Sequence, residues 1–100
     1  MFGTIGHVRV KDGHETQLQN HMDEWKTIIR PMIPGAFLKL FGHAAGRPDQ
    51  RVFVALAQDE ATYRSLAAMP EQDAWFRGML EHTEGEPAWE DVEMEVEFLE

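Results

Sequence analysis

Hydrophobic side chains recur along the chain with two different periods, and these periods predict the order of strands and helices. Residues 2–11 form a short run that ends in Val-Arg-Val and is closed by Lys11-Asp12-Gly13, which is typical of a strand followed by a turn. A stripe with spacings of four, three and four residues follows and indicates one buried face of a helix: Leu18, Met22, Trp25 and Ile29. We expect Asp12 to cap this helix, with Glu15 in the capping-box position, and Pro31 to end it.

The middle of the chain predicts a β-hairpin. Residues 36–44 alternate in character with a period of two, and residues 51–57 are rich in β-branched and aromatic side chains. Pro34-Gly35 is a turn before the first of these strands, and Gly46-Arg47-Pro48-Asp49 has the composition of a loop between them. A hairpin is therefore the natural connection.

The second half of the chain predicts two short helices and a last strand. Asp59 is suited to cap one helix, and Pro70 is suited to the first position of the next. Gly85 and Pro87 are expected to end that helix, and residues 89–98 alternate as a strand does. The order β-α-β-β-α-β is the ferredoxin-like α+β plan, in which helices cover one face of a four-stranded antiparallel sheet. One hundred residues suffice for one such domain, residues 1–100.

The two faces of this predicted sheet differ in composition. One face is almost purely aliphatic and is expected to lie under the helices; it takes Gly6, Val8, Val10, Leu38, Leu40, Val52, Val54, Leu56, Val92, Met94 and Val96. The other face combines aromatic side chains with segregated charges, which is unusual for a face in water. We therefore expect it to pack against a second copy of the chain, in a homodimer interface that contains His7, Arg9, Phe37, Lys39, Phe41, Phe53, Glu93 and Glu95.

Charge and composition exclude several classes of protein. Nine Lys and Arg against eighteen Asp and Glu give a net charge of −9, which disfavours nucleic acid as a partner because phosphates require a basic surface. The chain has no cysteine, which removes disulfides, thiolate nucleophiles and cysteine-based metal sites and fits a cytoplasmic location. The longest apolar run, residues 52–57, is far shorter than the ~20 residues that span a bilayer, so no membrane association is expected.

The five histidines include one candidate for proton transfer. None of them has the spacing of a metal-binding motif, so no metal site is expected. His82 shares a helix side with Trp75 and Met79, and it is the histidine best placed to face a pocket between helices and sheet. An imidazole there could move a proton near neutral pH. The alternative is a structural or surface histidine.

The aromatic residues of the helices can either fill the core or form the walls of a pocket. Gly6 leaves space on the sheet, and aromatic walls with a few polar groups suit a flat apolar ligand. The residues predicted to bind such a ligand are Gly6, Trp25, Trp75, Phe76 and Met79. Tyr63 as hydrogen-bond partner and His82 as base are the predicted catalytic residues.

Several of these features together resemble the antibiotic-biosynthesis-monooxygenase-like group of the dimeric α+β barrel superfamily. They are the element order, the turn at Lys11-Asp12-Gly13, Pro34-Gly35 before the second strand, and the run Met69-Pro70-Glu71-Gln72-Asp73-Ala74-Trp75. The resemblance covers nearly the whole chain. It implies a homodimer with a central eight-stranded barrel and a ligand pocket in each subunit. Activities of the group include cofactor-independent oxygenation of aromatic polyketides and quinol-type substrates, and oxidative haem degradation.

The haem-degrading members provide a test at three positions. Their Asn, Trp and axial His fall near Gly6, Ser65 and Trp75 of this chain, and all three differ, which disfavours haem. We therefore expect a cofactor-independent monooxygenase-like enzyme acting on a small aromatic or quinol-type compound, with no cofactor. The alternative is a non-catalytic or stress-associated homodimer that binds a small apolar ligand.

Overall fold

A four-stranded antiparallel sheet with the strand order β2-β3-β1-β4 carries three helices on one face. The structure, a computed structural model, describes residues 1–100. Its elements are β1 (Phe2–Val10), α1 (Glu15–Ile28), a short 3-10 helix (Arg30–Met32), β2 (Phe37–Ala44), β3 (Arg47–Ala57), α2 (Glu60–Ala67), α3 (Pro70–Leu80) and β4 (Thr83–Glu93). This is the predicted ferredoxin-like α+β fold. No helix is long and apolar enough to cross a membrane.

The predicted starts of α2 and α3 are confirmed, and the predicted start of α1 is not. Asp59 caps α2 by accepting a hydrogen bond from the Thr62 backbone N–H at 2.8 Å, and Pro70 opens α3, as predicted. The prediction that Asp12 caps α1 is wrong. Gly13 has a φ of +79°, so the turn extends past Asp12 and the helix begins only after His14, which makes no side-chain cap bond.

The last strand lies closer to α3 than predicted. It spans Thr83–Glu93 instead of residues 89–98, because pairing begins where Val10 meets Thr83, directly after the helix. Gly85 and Pro87 therefore lie inside the strand instead of ending the helix. A proline is tolerated there because β4 is an edge strand. Residues 94–100 follow the sheet without regular secondary structure.

The sheet faces are assigned correctly for β1 and wrongly for β2, β3 and β4. Phe53 lies opposite Gly6 in β1 and opposite Phe41 in β2, so all three lie on the face that the helices cover. Phe53 is only 5% exposed and packs in the core with Val8, Val10, Leu18, Met22 and Met79. The prediction that Phe37, Lys39, Phe41 and Phe53 form a dimer interface is therefore wrong. Period-two alternation shows which side chains share a face but not which face is covered, and both faces of β2 are apolar.

The face without helices, called here the open face, is mainly aliphatic. Its members are Ile5, His7, Arg9, Leu38, Leu40, Val52, Val54, Leu56, Ala88, Glu90 and Val92. His7 and Arg9 lie there as predicted and are exposed. Glu93 instead lies opposite Phe2 at the end of β4, on the other face, and Glu95 follows the strand. Several residues predicted to lie under the helices thus lie on the open face: Leu38, Leu40, Val52, Val54, Leu56 and Val92.

Candidate functional site

A cavity of about 240 Å³ lies between the helix-covered face of the sheet and the three helices. Fourteen residues line it, ten of them hydrophobic: Thr4, Trp25, Phe37, Lys39, Phe53, Ala55, Tyr63, Leu66, Ala67, Gln72, Asp73, Trp75, Phe76 and Trp89. An engineered cavity of about 150 Å³ is large enough for benzene. The space therefore fits one substituted ring or two fused rings.

The aromatic walls of the cavity are held in place by hydrogen bonds from their indole N–H groups. Trp25 Nε1 donates to Gln72 Oε1 at 3.0 Å, and Trp75 Nε1 donates to the carbonyl oxygen of His21 at 2.9 Å. Trp25 belongs to the buried stripe of α1, which holds its ring over the sheet. The centroid of this ring lies 5.0 Å from that of Phe37. These contacts orient the flat walls before any ligand enters.

Lys39 of β2 is the one cationic side chain that lines this cavity. Its Nζ lies 4.0 Å from the ring centroid of Trp25 and 4.9 Å from that of Trp75. The amine is buried and has no hydrogen-bond partner. Burial lowers the pKa of Lys39 to about 8; the nearby Lys26 adds to this effect and Asp23 opposes it.

Tyr63 of α2 supplies the phenol hydroxyl of the cavity. Its hydroxyl donates to Asp91 Oδ1 of β4 at 3.3 Å, and Arg64 pairs with the other oxygen of the same carboxylate at 3.3 Å. Burial raises the pKa of Tyr63, and the Asp91 carboxylate raises it further. Tyr63 is therefore a neutral hydrogen-bonding group at ordinary pH.

Of the residues predicted to bind a ligand, three line the cavity and two do not. Trp25, Trp75 and Phe76 are brought together as predicted, and Tyr63 joins them. Gly6 does not contribute space for a ligand: a Cβ there would overlap the Phe53 ring, so Phe53 already fills that position. Met79 is fully buried in the core, at 0% exposure.

The prediction that His82 faces the pocket is wrong. His82 follows α3 and lies next to His14 and His21 of the α1 region instead of lining the cavity. Its Nδ1 is 3.1 Å from Nδ1 of His14, a hydrogen bond that requires one ring to donate and the other to accept. His21 stacks on Trp75 with centroids 5.0 Å apart, and its Nε2 lies 2.6 Å from the Trp75 carbonyl oxygen. This arrangement, called here the histidine cluster, packs behind the cavity wall.

Sequence reasoning missed several lining residues, among them Trp89, Gln72 and the one cationic residue, Lys39. The signal for Lys39 was present, because Lys39 shares a period-two face with Phe37 and Phe41, and a lone lysine between aromatic residues differs from a solvated strand face. That signal was interpreted as an interface. No group of three or more histidine, aspartate or glutamate side chains is arranged to hold a metal ion.

Comparisons with known proteins give matches at the level of structure. No protein-family model and no curated protein matches the chain. A proposed antibiotic biosynthesis monooxygenase from Caulobacter crescentus superposes with a TM-score of 0.79 at 11% identity, covering 91% of this chain and 86% of its own. One from Nitrosomonas europaea gives 0.76 at 14% identity, covering 94% and 98%.

A third similar structure has a stated activity. SnoaB, a cofactor-independent oxygenase from Streptomyces nogalater, superposes with a TM-score of 0.74 at 12% identity, covering 97% of each chain. At identities this low the comparisons establish the fold and leave the activity open. The chain thus has the fold of structures described as antibiotic biosynthesis monooxygenases, over nearly its whole length.

Proposed function

We propose that this protein is a member of the antibiotic-biosynthesis-monooxygenase-like group and oxygenates a small aromatic or quinol-type compound without a cofactor. The observation that carries the proposal is the cavity: three tryptophans, a phenol hydroxyl and one buried amine surround a space for one or two rings. The shared fold with SnoaB, described as a cofactor-independent oxygenase, supports it. No histidine lines the cavity, which gives a haem there no axial imidazole.

In such a reaction the ionised substrate is itself the reductant. A phenolate or quinolate with a free ring position ortho or para to its ionised oxygen transfers electrons to O₂ and is oxidised to a quinone; one oxygen atom enters the ring at that position and the other leaves as water. The protein has to bind and orient the ring, hold its oxygen and exclude water. Trp25 and Trp75 can orient the ring, and the Tyr63 hydroxyl can donate to an oxygen of the substrate by exchanging its hydrogen bond to Asp91 for one to the ligand.

Oxygen consumption tests this proposal. We expect the purified protein to accelerate O₂ uptake with at least one member of a panel of hydroquinones and 1-naphthols, above the rate of spontaneous oxidation. Tyr63→Phe, which removes one hydroxyl from the cavity, is expected to lower kcat by about tenfold. His82→Ala is the matched control, because His82 lies outside the cavity and the rate should be unchanged. No uptake across the panel would contradict the proposed reaction.

A second candidate, a ligand-binding protein without catalysis, is favoured by one observation. The cavity contains no imidazole, and its titratable groups are Lys39, Tyr63 and Asp73. A site with preformed walls can bind an aromatic compound without transforming it. Saturable binding of a hydroquinone without O₂ uptake would support this candidate over the oxygenase.

We also propose that the protein is a homodimer that pairs through the open face. Leu40 on that face is 57% exposed and lies beside Val54 of β3, and Leu38, Val52 and Ile5 add further aliphatic side chains to the face. Farther along the chain, Phe98 is 77% exposed among the residues that follow β4. An apolar surface of this kind is typical of a protein–protein interface. The cytoplasmic location expected from the sequence stays a prediction.

Sedimentation tests the dimer directly. We expect a particle of twice 11.5 kDa at micromolar concentration. Leu40→Glu should shift it to the monomer, because a carboxylate would be buried without a partner at the interface. Glu90→Gln on the same face is a control that should leave the dimer intact. A wild-type monomer would contradict the proposal.

A further inference from the structure

The buried amine of Lys39 has no anion to pair with, although Asp23 lies near it and Asp73 lines the same cavity. Asp23 accepts a hydrogen bond from Gln19 Nε2 at 3.1 Å, and Asp73 pairs with Arg77 at 3.0 Å. Neither carboxylate makes a salt bridge or a hydrogen bond with Lys39. Buried polar atoms are satisfied in the great majority of cases, so an orphaned ammonium beside empty space is an exception that asks for a partner.

The aromatic rings around Lys39 stabilise its charge but leave its N–H groups free. The Nζ lies near the rings of Trp25 and Trp75, which attract a cation through their π electrons and accept no conventional hydrogen bond. An ammonium group has three donors. A ligand oxygen in the cavity is therefore the acceptor that this arrangement lacks.

Lys39 also lies at the boundary of two neighbouring hollows. A second hollow of about 320 Å³ shares Trp25, Phe37 and Lys39 with the cavity and is otherwise more polar, with Lys26 and Arg30 among its lining residues. The amine thus marks the end of the aromatic cavity at which a charged substituent of a ligand can be placed.

We propose that Lys39 pairs through its ammonium group with an ionised oxygen of the aromatic ligand, so that the cavity selects phenolates and enolates over neutral aromatic compounds of the same shape. This inference rests on the proposed function for its role in turnover. Pairing with the ammonium favours the ionised form of a bound phenol, which is the form that transfers electrons to O₂. Lys39 is thereby a residue that determines specificity for the charge of the ligand.

Binding of two probes of nearly equal shape tests the inference without any turnover. 4-Nitrophenol forms a phenolate near neutral pH, whereas 4-nitroanisole, its methyl ether, does not ionise. All three tryptophans line the cavity, so quenching of their fluorescence reports binding. The measurement is made between the pKa of 4-nitrophenol, near neutral, and the pKa of Lys39, about 8, so that the phenolate and the ammonium are both present.

Three variants separate the charge of Lys39 from its other effects. Lys39→Met removes the ammonium and keeps an apolar chain, Lys39→Arg keeps a cation, and Lys26→Met removes one positive charge from α1 outside the cavity. Lys39→Met should weaken nitrophenolate binding by about tenfold or more, as expected for loss of a charged hydrogen bond, and leave nitroanisole binding unchanged. Lys39→Arg should retain part of the preference, and Lys26→Met should match the wild type within about twofold.

The outcomes of this experiment differ from those of the oxygen assay. Equal loss of both probes in Lys39→Met, no preference for nitrophenolate in the wild type, or no binding of either probe would overturn the inference. Circular dichroism of each variant excludes loss of folding as the cause. Lys39-dependent binding without O₂ uptake by any hydroquinone would leave the inference standing and contradict the proposed oxygenase. If O₂ uptake occurred and Lys39→Met changed neither the uptake nor the binding of the probes, the inference about Lys39 would be overturned and the proposed oxygenase would stand.

Discussion

The histidine cluster and the Lys39 cavity lie on either side of Trp75, and they differ in how well their polar groups are satisfied. In the cluster, His14 and His82 bond to one another at 3.1 Å and His21 bonds to the Trp75 carbonyl. The space there is also filled, because a Cβ added to Gly78 would lie 2.7 Å from the His21 ring. On the other side, the Lys39 amine has no partner and faces about 240 Å³ of open cavity.

This difference indicates which of the two regions is built for a ligand. A polar cluster that is satisfied internally and packed closely contributes to the fold and gains nothing from a further molecule. An unpaired buried cation beside open space is stabilised when an anion enters. The environment of a residue is thus a better guide to a ligand site than its type. His82 has a suitable side chain but is hydrogen-bonded to His14, whereas the amine of Lys39 has no partner.

Replacing Trp75 with alanine should have the largest effect, because this ring belongs to both regions. The variant loses the stacking on His21, the wall beside Lys39 and the hydrogen bond to the His21 carbonyl. We expect a loss of about 3 kcal/mol in the free energy of unfolding, at the lower end of the range for Trp→Ala since the ring is only partly buried. Urea denaturation measures it.

Trp75→Phe is the matched control for this prediction. It keeps an aromatic ring and removes the indole N–H, so a loss of about 1 kcal/mol is expected, the value of one hydrogen bond. Equal losses for the two variants would mean that the indole ring does not support the two regions jointly.

Lys39→Met should stabilise the protein at neutral pH, by roughly 2–3 kcal/mol. The pKa of Lys39 is about 8 in the folded chain and 10.5 as a reference, and at about 1.4 kcal/mol per unit this shift corresponds to about 3.5 kcal/mol, of which the attraction of Trp25 and Trp75 for the cation offsets part. Below pH 8 Lys39 is charged in the folded chain, and the full cost of burying its ammonium group lowers the free energy of unfolding. Between pH 8 and 10.5 the unfolded chain binds the extra proton, so the stability of the wild type rises with pH in this window.

The measurement compares urea denaturation of the wild type and Lys39→Met across that pH window. The advantage of the variant should shrink as the pH rises, since titration of other groups cancels in the difference. Lys26→Met, an exposed lysine on α1, should change stability by less than about 0.5 kcal/mol. A constant difference between wild type and Lys39→Met at all pH values would show that the charge of Lys39 is not buried in solution.

The order of elements and the buried side of the helices could be predicted from the sequence. In α1 the stripe from Leu18 to Ile29 is set by a helical period, and a single helix has only one apolar face to bury. The cap at Asp59 was predictable because its hydrogen bond reaches only three residues along the chain. Both features are local, so they can be predicted without knowing which distant segments meet in the fold.

The covered face of the sheet and the range of the last strand depend on contacts between distant segments. In β2 both Phe37 and Leu38 are apolar, so the alternation fits either orientation, and pairing with β1 through β3 decides it. In β4 the start at Thr83 is decided by its pairing with Val10. These distant pairings also place Lys39 beside Trp25 and Trp75, which is why the sequence predicted the aromatic walls but not the amine between them.

Replacing His82 with alanine should have the smallest effect and tests the satisfied side of the comparison. Loss of its bond to His14 is expected to lower the free energy of unfolding by about 1 kcal/mol or less, because the pair is only partly buried. His14→Ala should cause a similar loss, and the double variant should lose less than the sum of the two, since both single changes break the same bond. Nitrophenolate binding should be the same in all three variants, because neither histidine lines the cavity. If His82→Ala instead weakened nitrophenolate binding as strongly as Lys39→Met, the two regions would act as one site, and the division at Trp75 would be wrong.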